Sequence, residues 1–205
     1  GLPARERSAP AVLRVTRASR SKRYKSGQYF SPAARYFDPA PQPTHVTPML
    51  EGIRVVEMGL WVAGPATAGL LADWGADVVK IEPPAGDPMR AFFRLATGSK
   101  VDRNPPFDLD NRGKRSVALD LRVPAARAAA QRIVDRADVF VTNMRPEALA
   151  RIGFDPETLH ARHPRLVYAS IAGYGRQGAD RDRPGYDVGA FWARSGVADT
   201  LTVEG

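Results

Sequence analysis

The stretch from residue 53 to residue 84 constrains the fold more than any other part of the chain. Ile53-Arg-Val-Val-Glu-Met58 is a short run rich in β-branched residues, and Ala76-Asp-Val-Val-Lys-Ile-Glu82 is a second, closed by Pro83-Pro84. Between them residues 65–74 (PATAGLLADW) read as one short helix. Pro65 suits its first turn, where a missing N–H costs nothing, and Gly75 supplies the left-handed residue that commonly ends a helix. Two buried strands joined through a helix form a βαβ unit, so they must run parallel.

The same alternation continues down the chain. Ser116–Leu121 reads as a strand, and residues 124–137 as a helix with Ala126, Ala129, Ala130, Ile133, Val134 and Ala137 on one face. A strand at 138–142 follows, then short helices at 147–152 and 156–162, the second capped by Asp155. A strand at 166–171 and a helix at 187–195 complete the pattern. Strands alternating with helices define an α/β fold with a Rossmann-like open parallel sheet.

Residues 1–48 do not share this pattern. They hold seven of the 18 prolines and nine basic against two acidic side chains, or +7 of the total formal charge of +8. The remaining 157 residues are nearly neutral, so the basic character belongs to the leader and not to a binding face. Without periodicity and with few large aliphatic residues, the leader is expected to be a disordered basic tail. Three roles compete for it: sequence preceding a natural start at Met49, an organellar transit peptide, or a clasp for nucleic acid through Arg, Lys and Tyr24, Tyr29, Phe30 and Tyr36.

Several chemistries are excluded by what the chain lacks. With no cysteine there is no disulfide framework, thiolate nucleophile or iron–sulfur cluster. Three histidines argue against a His-rich metal site, and no metal is expected. G-x-S-x-G, the Walker phosphate loop and H-E-x-x-H are all missing. Gly59, Gly64 and Gly69 stand at G-x4-G-x4-G, whereas a dinucleotide fingerprint needs G-x-G-x-x-G. Glu82 ends the second strand, where such folds place a ribose-binding acid, or it is a solvated strand-end carboxylate. Lys80, Arg90, Arg112 and Arg145 fall near or after strand ends, the side on which an open α/β sheet binds ligands, and could together grip a ligand with several phosphates.

An ordered set of motifs resembles the class III CoA-transferases, the CaiB/BaiF family. It comprises Leu50-Glu-Gly-Ile-Arg-Val-Val-Glu57, Gly64-Pro65, Gly75-Ala-Asp-Val-Val-Lys-Ile-Glu-Pro-Pro84, Gly86-Asp-Pro88 and Asn111-Arg-Gly-Lys-Arg-Ser116. Asn143-Met-Arg-Pro146, His163-Pro-Arg-Leu166, Gly173-Tyr-Gly175 and Arg183-Pro-Gly-Tyr-Asp187 follow in order. The match runs from Met49 to about Gly196, and the leader lies outside it.

The resemblance implies that residues 49–205 are a CoA-binding domain ending before a second domain, with CoA or acyl-CoA as substrate and no permanently bound cofactor. Carried over by position, CoA contacts fall at Val62 and Ala63, at Leu119, Asp120, Leu121 and Arg122, at Asn143, Met144 and Arg145, at Arg151, and at Pro184, Gly185, Tyr186 and Asp187. Arg122 and Arg151 suit phosphate oxygens; Leu119 and Met144 suit the adenine or the pantetheine stem. Val62 replaces a polar residue of the formyl-CoA transferases, and Pro83 stands where they have an arginine. Tyr186 occupies the place of the histidine that serves as acid/base in the racemase branch, and a phenol with an ordinary pKa near ~10 is poorly matched to that role. The implied reaction transfers CoA between an acyl-CoA and a carboxylic acid through an aspartyl anhydride, with the nucleophilic aspartate expected beyond Gly205. The implied full-length form is an interlocked homodimer in the cytoplasm, or in the mitochondrion if residues 1–48 are a transit peptide. A membrane or nucleic-acid partner is not expected. The competing readings are an acyl-CoA racemase of the same family and a non-enzymatic module that binds nucleic acid or an acidic surface through the tail.

Overall fold

The computed structural model describes residues 14–17, 48–98, 100, 104–186 and 188–202. Arg54–Met58 (β2) leads through Ala63–Asp73 (α1) to Asp77–Glu82 (β3), and the two strands pair in parallel, with Glu57 opposite Lys80. Gly75 ends the connection as expected: its φ is +101°, and a Cβ there would lie 2.2 Å from that of Pro48. The chain continues through Met89–Thr97 (α2) and Pro105–Asp110 (α3) to Arg115–Ala118 (β4), then Pro124–Val134 (α4) and Val139–Thr142 (β5). Pro146–Ile152 (α5), Pro156–Arg162 (α6), Val167–Ser170 (β6), a π-helical segment Val188–Ala193 and Val197–Leu201 (α7) follow. Asp155 caps α6 as expected, its Oδ1 accepting from Thr158 N at 2.8 Å.

Five strands form one parallel sheet in the order β4-β3-β2-β5-β6, which is the Rossmann-like sheet expected. Strand order reverses between β2 and β5, and in such sheets ligands bind in the crevice outside the carboxyl ends at that switch point. Arg14–Arg17 (β1) adds an antiparallel edge strand against β4, so four residues of the leader take a regular form that periodicity did not suggest. The rest of the expected tail, residues 1–13 and 18–47, lies outside the described residues.

Strand alternation sorts the core into two layers. Val55, Val78 and Val141 face α1 and pack with Ala68 and Ala76. Val56, Ile81, Val117 and Phe140 face the other way and pack with Ala126, Ala130 and Val134 of α4, and with Leu149, Phe154 and Leu159. Each fully buried aliphatic or aromatic side chain here contributes roughly 1.5–3 kcal/mol. Glu57 and Lys80 sit on the α1 side of the same strands, and both are fully buried.

Candidate functional site

The loop from β2 to α1, residues 59–62, crosses the switch point, and side chains from four separate segments hold the backbone of this loop and of the first turn of α1. Lys80 Nζ donates to Gly59 O at 3.0 Å. The Asn143 amide accepts from Leu60 N at 2.9 Å and donates to Leu60 O at 2.7 Å, as a neighbouring strand would. Asp87 Oδ1 accepts from Trp61 N at 3.1 Å, and Lys114 Nζ donates to Pro65 O at 2.6 Å. The two glycines allow this approach: a Cβ on Gly59 or Gly64 would stand 2.9 Å or 3.0 Å from Asn143 Oδ1.

Beneath the loop the charges form one buried cluster. Glu57 takes Lys80 on one oxygen at 2.6 Å and Lys114 on the other at 2.7 Å. Lys80 also pairs with Asp87 Oδ2 at 2.9 Å, an ion-pair contact without the alignment of a hydrogen bond, and Lys114 donates to Asn111 Oδ1 at 3.1 Å. Burial pushes the Lys114 ammonium down from its ordinary value, against the opposing pull of Glu57. These two lysines and two carboxylates pair with one another and are buried away from solvent.

Trp61 is the one non-glycine with positive φ among the described residues, at +66°. A left-handed tryptophan costs on the order of 1–3 kcal/mol and persists only where its surroundings over-determine it. The four grips on residues 59–65 do so here. The indole meets Phe92 edge-on, with ring centroids 5.6 Å apart, and Tyr186 likewise at 6.3 Å.

The sequence-derived ligand residues separate into groups. Val62 and Ala63 are exposed at the start of α1, directly beside this loop. Asn143 is half-buried as the brace just described, and Met144 packs on the core. Arg145 is exposed at the start of α5 and Arg151 at its end; neither has an ion-pair partner among the described residues. Pro184, Gly185 and Tyr186 are exposed, and Tyr186 reaches Trp61 across the switch point. Asp187 lies outside the described residues. Leu119 is 5% exposed and belongs to the core beneath the end of β4, so its side chain is not presented to a ligand. Leu121 also packs on that core, while the exposed Arg122 pairs with the half-buried Asp120. Side-chain and backbone bonds from Arg122 pull the Asp120 carboxyl down to about 2.

Three of the four basic residues that could have gripped phosphates are already engaged. Lys80 is in the buried cluster, Arg112 pairs with Asp73, and Arg90 binds Glu82 in two places while stacking 4.1 Å over Phe107. Arg145 alone keeps that option. Glu82 is neither a ribose ligand nor a solvated carboxylate: it is 5% exposed and accepts from Arg90, Ser116 and Asp87 N. Burial raises its pKa, but these bonds outweigh burial and hold the carboxyl below its usual range.

A cleft of about 600 Å³ opens at the opposite, amino end of the strands, between Val56, Val79, Val117 and Ile133. Of its arginines, Arg54 and Arg115 are tied to Asp138 and Asp77. The switch point, where the strand order reverses at the carboxyl ends, is the candidate site that the fold offers.

An open parallel sheet with a braced glycine-containing loop at its switch point defines an α/β domain of the Rossmann-like class. The sequence model of CoA-transferase family III matches residues 50–205, and the chain belongs to that family. It is 40% identical over 161 residues to the cinnamoyl-CoA:phenyllactate CoA-transferase of Clostridium sporogenes, covering 78% of this chain and 39% of that protein. Identity to the succinate–glutarate CoA-transferase of Agrobacterium fabrum is 42% over 145 residues, covering 68% of this chain and 36% of that protein. A crystal structure of a CaiB/BaiF family protein from Brucella suis superposes with a TM-score of 0.65 at 37% identity, over 75% of this chain and 40% of that one. The chain thus spans about two fifths of the length of the curated relatives it matches. Among the described residues no helix is long and apolar enough to cross a membrane, and no group of three or more His, Cys, Asp or Glu could hold a metal ion.

Proposed function

We propose that residues 49–205 form the CoA-binding part of an enzyme that moves CoA between an acyl-CoA and a carboxylic acid. The observation that carries this reading is the layout of the carboxyl edge. Val62, Ala63 and Arg145 are exposed at the β2/β5 switch point, while Arg122 is exposed beyond β4. β4 and β5 are three strand intervals apart, roughly 14 Å. A nucleotide carrying a long flexible arm can reach across such an edge, with its phosphates on Arg145, which has no ion-pair partner among the described residues, and on Arg122 once it exchanges its surface pair with Asp120.

In the chemistry we propose, a carboxylate attacks the thioester carbonyl, the C–S bond breaks and CoA leaves as the thiolate, giving an acyl anhydride on the protein. The thiolate then attacks the protein's own carbonyl of that anhydride, and the first acyl group departs as its carboxylate. Repeating both steps in reverse with the acceptor acid returns the protein carboxylate. Glu57, Glu82 and Asp87 cannot open this sequence, because each is held in buried ion pairs. Asp120 is occupied by Arg122. For the nucleophile itself we follow the family resemblance, which puts it in a segment following Gly205 and not at Asp187, and we expect residues 1–205 alone to bind CoA without forming an anhydride. A racemase reading gains no support from the site. Position 186 holds a phenol, while His160 and His163 are engaged with Leu166 O and Asp135. We further take the whole protein to be a homodimer, for which the exposed Phe191, Trp192 and Leu201 offer apolar surface.

Calorimetric titration of the chain with CoA tests the binding reading, and saturable heat is expected. A folded protein that gives none overturns it. Incubation with acyl-CoA followed by hydroxylamine tests the placement of the nucleophile. A hydroxamate found by mass spectrometry on Asp187 would overturn that placement.

A further inference from the structure

We infer that Trp61, Phe92 and Tyr186 form a wall that receives the acyl group of the thioester, and that it favours flat aromatic acyl groups over acyl groups ending in a second carboxylate. The inference rests on the CoA reading above. Strain is its first support. Trp61 is held left-handed by bonds to its own N–H and to both backbone groups of Leu60. The effect of that conformation is to set the indole between two other rings. The interplanar angles are 83° to Phe92 and 88° to Tyr186, edge-to-face geometry that ties the three rings into one cluster. Phe92 is 48% and Tyr186 64% exposed, so the wall is open to a ligand. Val62 and Ala63 follow Trp61 directly, which places the wall beside the proposed CoA path.

The second support is the state of the nearby cations. A dicarboxylic acyl group needs a cation for its distal carboxylate. Lys80 and Lys114, beneath the loop, are both committed to Glu57, and Lys80 to Asp87 as well. Arg90, two residues before Phe92, is committed to Glu82 and covers Phe107. The wall thus offers aromatic surface beside three cations that are already neutralised, while Arg145, without an ion-pair partner among the described residues, is the one assigned above to phosphate.

The test compares dissociation constants of the 205-residue chain for CoA, phenylacetyl-CoA and glutaryl-CoA. Phenylacetyl-CoA is expected to bind about tenfold more tightly than glutaryl-CoA, the factor given by ~1.4 kcal/mol. In Trp61→Ala the ratio should fall to near one. Should that variant fail to fold, Phe92→Ala, on the exposed side of α2, reads the same ratio. No binding of free CoA by the unaltered chain removes the CoA reading and this inference together. Binding of CoA with a ratio near one in the unaltered chain, as when other protein covers the rings, overturns the inference alone. A ratio that survives in both variants also overturns it.

Discussion

At the carboxyl ends of β2 and β3, charged side chains pair inside the protein, whereas at the amino ends of the same strands they pair in solvent. Glu57 and Lys80 are 0% and 1% exposed, while Arg54 and Asp138 are 55% and 40% exposed, and Arg115 and Asp77 about half. The difference has an energetic meaning. A solvent-exposed pair contributes about 0–1 kcal/mol and can be exchanged freely. A buried pair adds little net stability over apolar packing, but removing one partner leaves an uncompensated buried charge. A fold that only needed stability could use aliphatic residues at 57 and 80. What the buried cluster supplies is geometry: through Lys80, Asp87 and Lys114 it fixes where the backbone of residues 59–65 lies.

Glu57→Ala should break this contrast most severely. It leaves the buried Lys114 without an ion-pair partner and Lys80 with Asp87 alone, and should cost about 3–5 kcal/mol, read as a fall in the urea midpoint. Asn143→Ala should come next. It leaves the N–H and C=O of Leu60 without partners, at about 1–3 kcal/mol, and should weaken CoA binding beyond the loss of stability because the loop is released. A smaller effect belongs to Glu82. Its folded pKa lies below the unfolded one, so its contribution is present above the ordinary carboxylate range and is lost as pH falls through the folded value. Urea midpoints measured from neutral to acid pH should therefore decline less steeply in Glu82→Gln than in the unaltered chain. An equal decline in both would show that Glu82 contributes nothing to it. At the amino edge, Arg115→Ala should change stability by less than about 1 kcal/mol and leave CoA binding intact. An Arg115→Ala effect as large as that of Glu57→Ala would erase the distinction between the two ends.

Much of the sheet was legible in the sequence because its strands are short β-branched runs bounded by Gly and Pro. The expected strands at 53–58, 76–82 and 138–142 correspond to β2, β3 and β5, and the predicted alanine face of 124–137 is the face that α4 buries. α2 was missed for a physical reason: Met89 is its one buried residue, so its pattern does not advertise a core face. α7, at the end of the described chain, carries no burial signal either, since none of its residues is buried. At the site, charge at strand ends suggested ligand-gripping residues, yet Lys80 and Arg90 bond within the protein. A usable signal was present: two opposite charges inside apolar strands of one βαβ unit fall in register as Glu57 and Lys80. The left-handed Trp61 had no such signal, because its conformation is imposed by Asp87 and Asn143 from elsewhere in the chain.

The central claim is that CoA binds the carboxyl edge of the sheet at the β2/β5 switch point. Titration of isotope-labelled protein with CoA, followed by amide chemical shifts, tests it most directly. The account predicts shifts concentrated at Val62, Ala63, Asn143, Arg145 and Arg122, with Val56, Val79, Val117 and Ile133 undisturbed. Shifts confined to those four residues of the amino-end cleft, with the switch point silent, would contradict it.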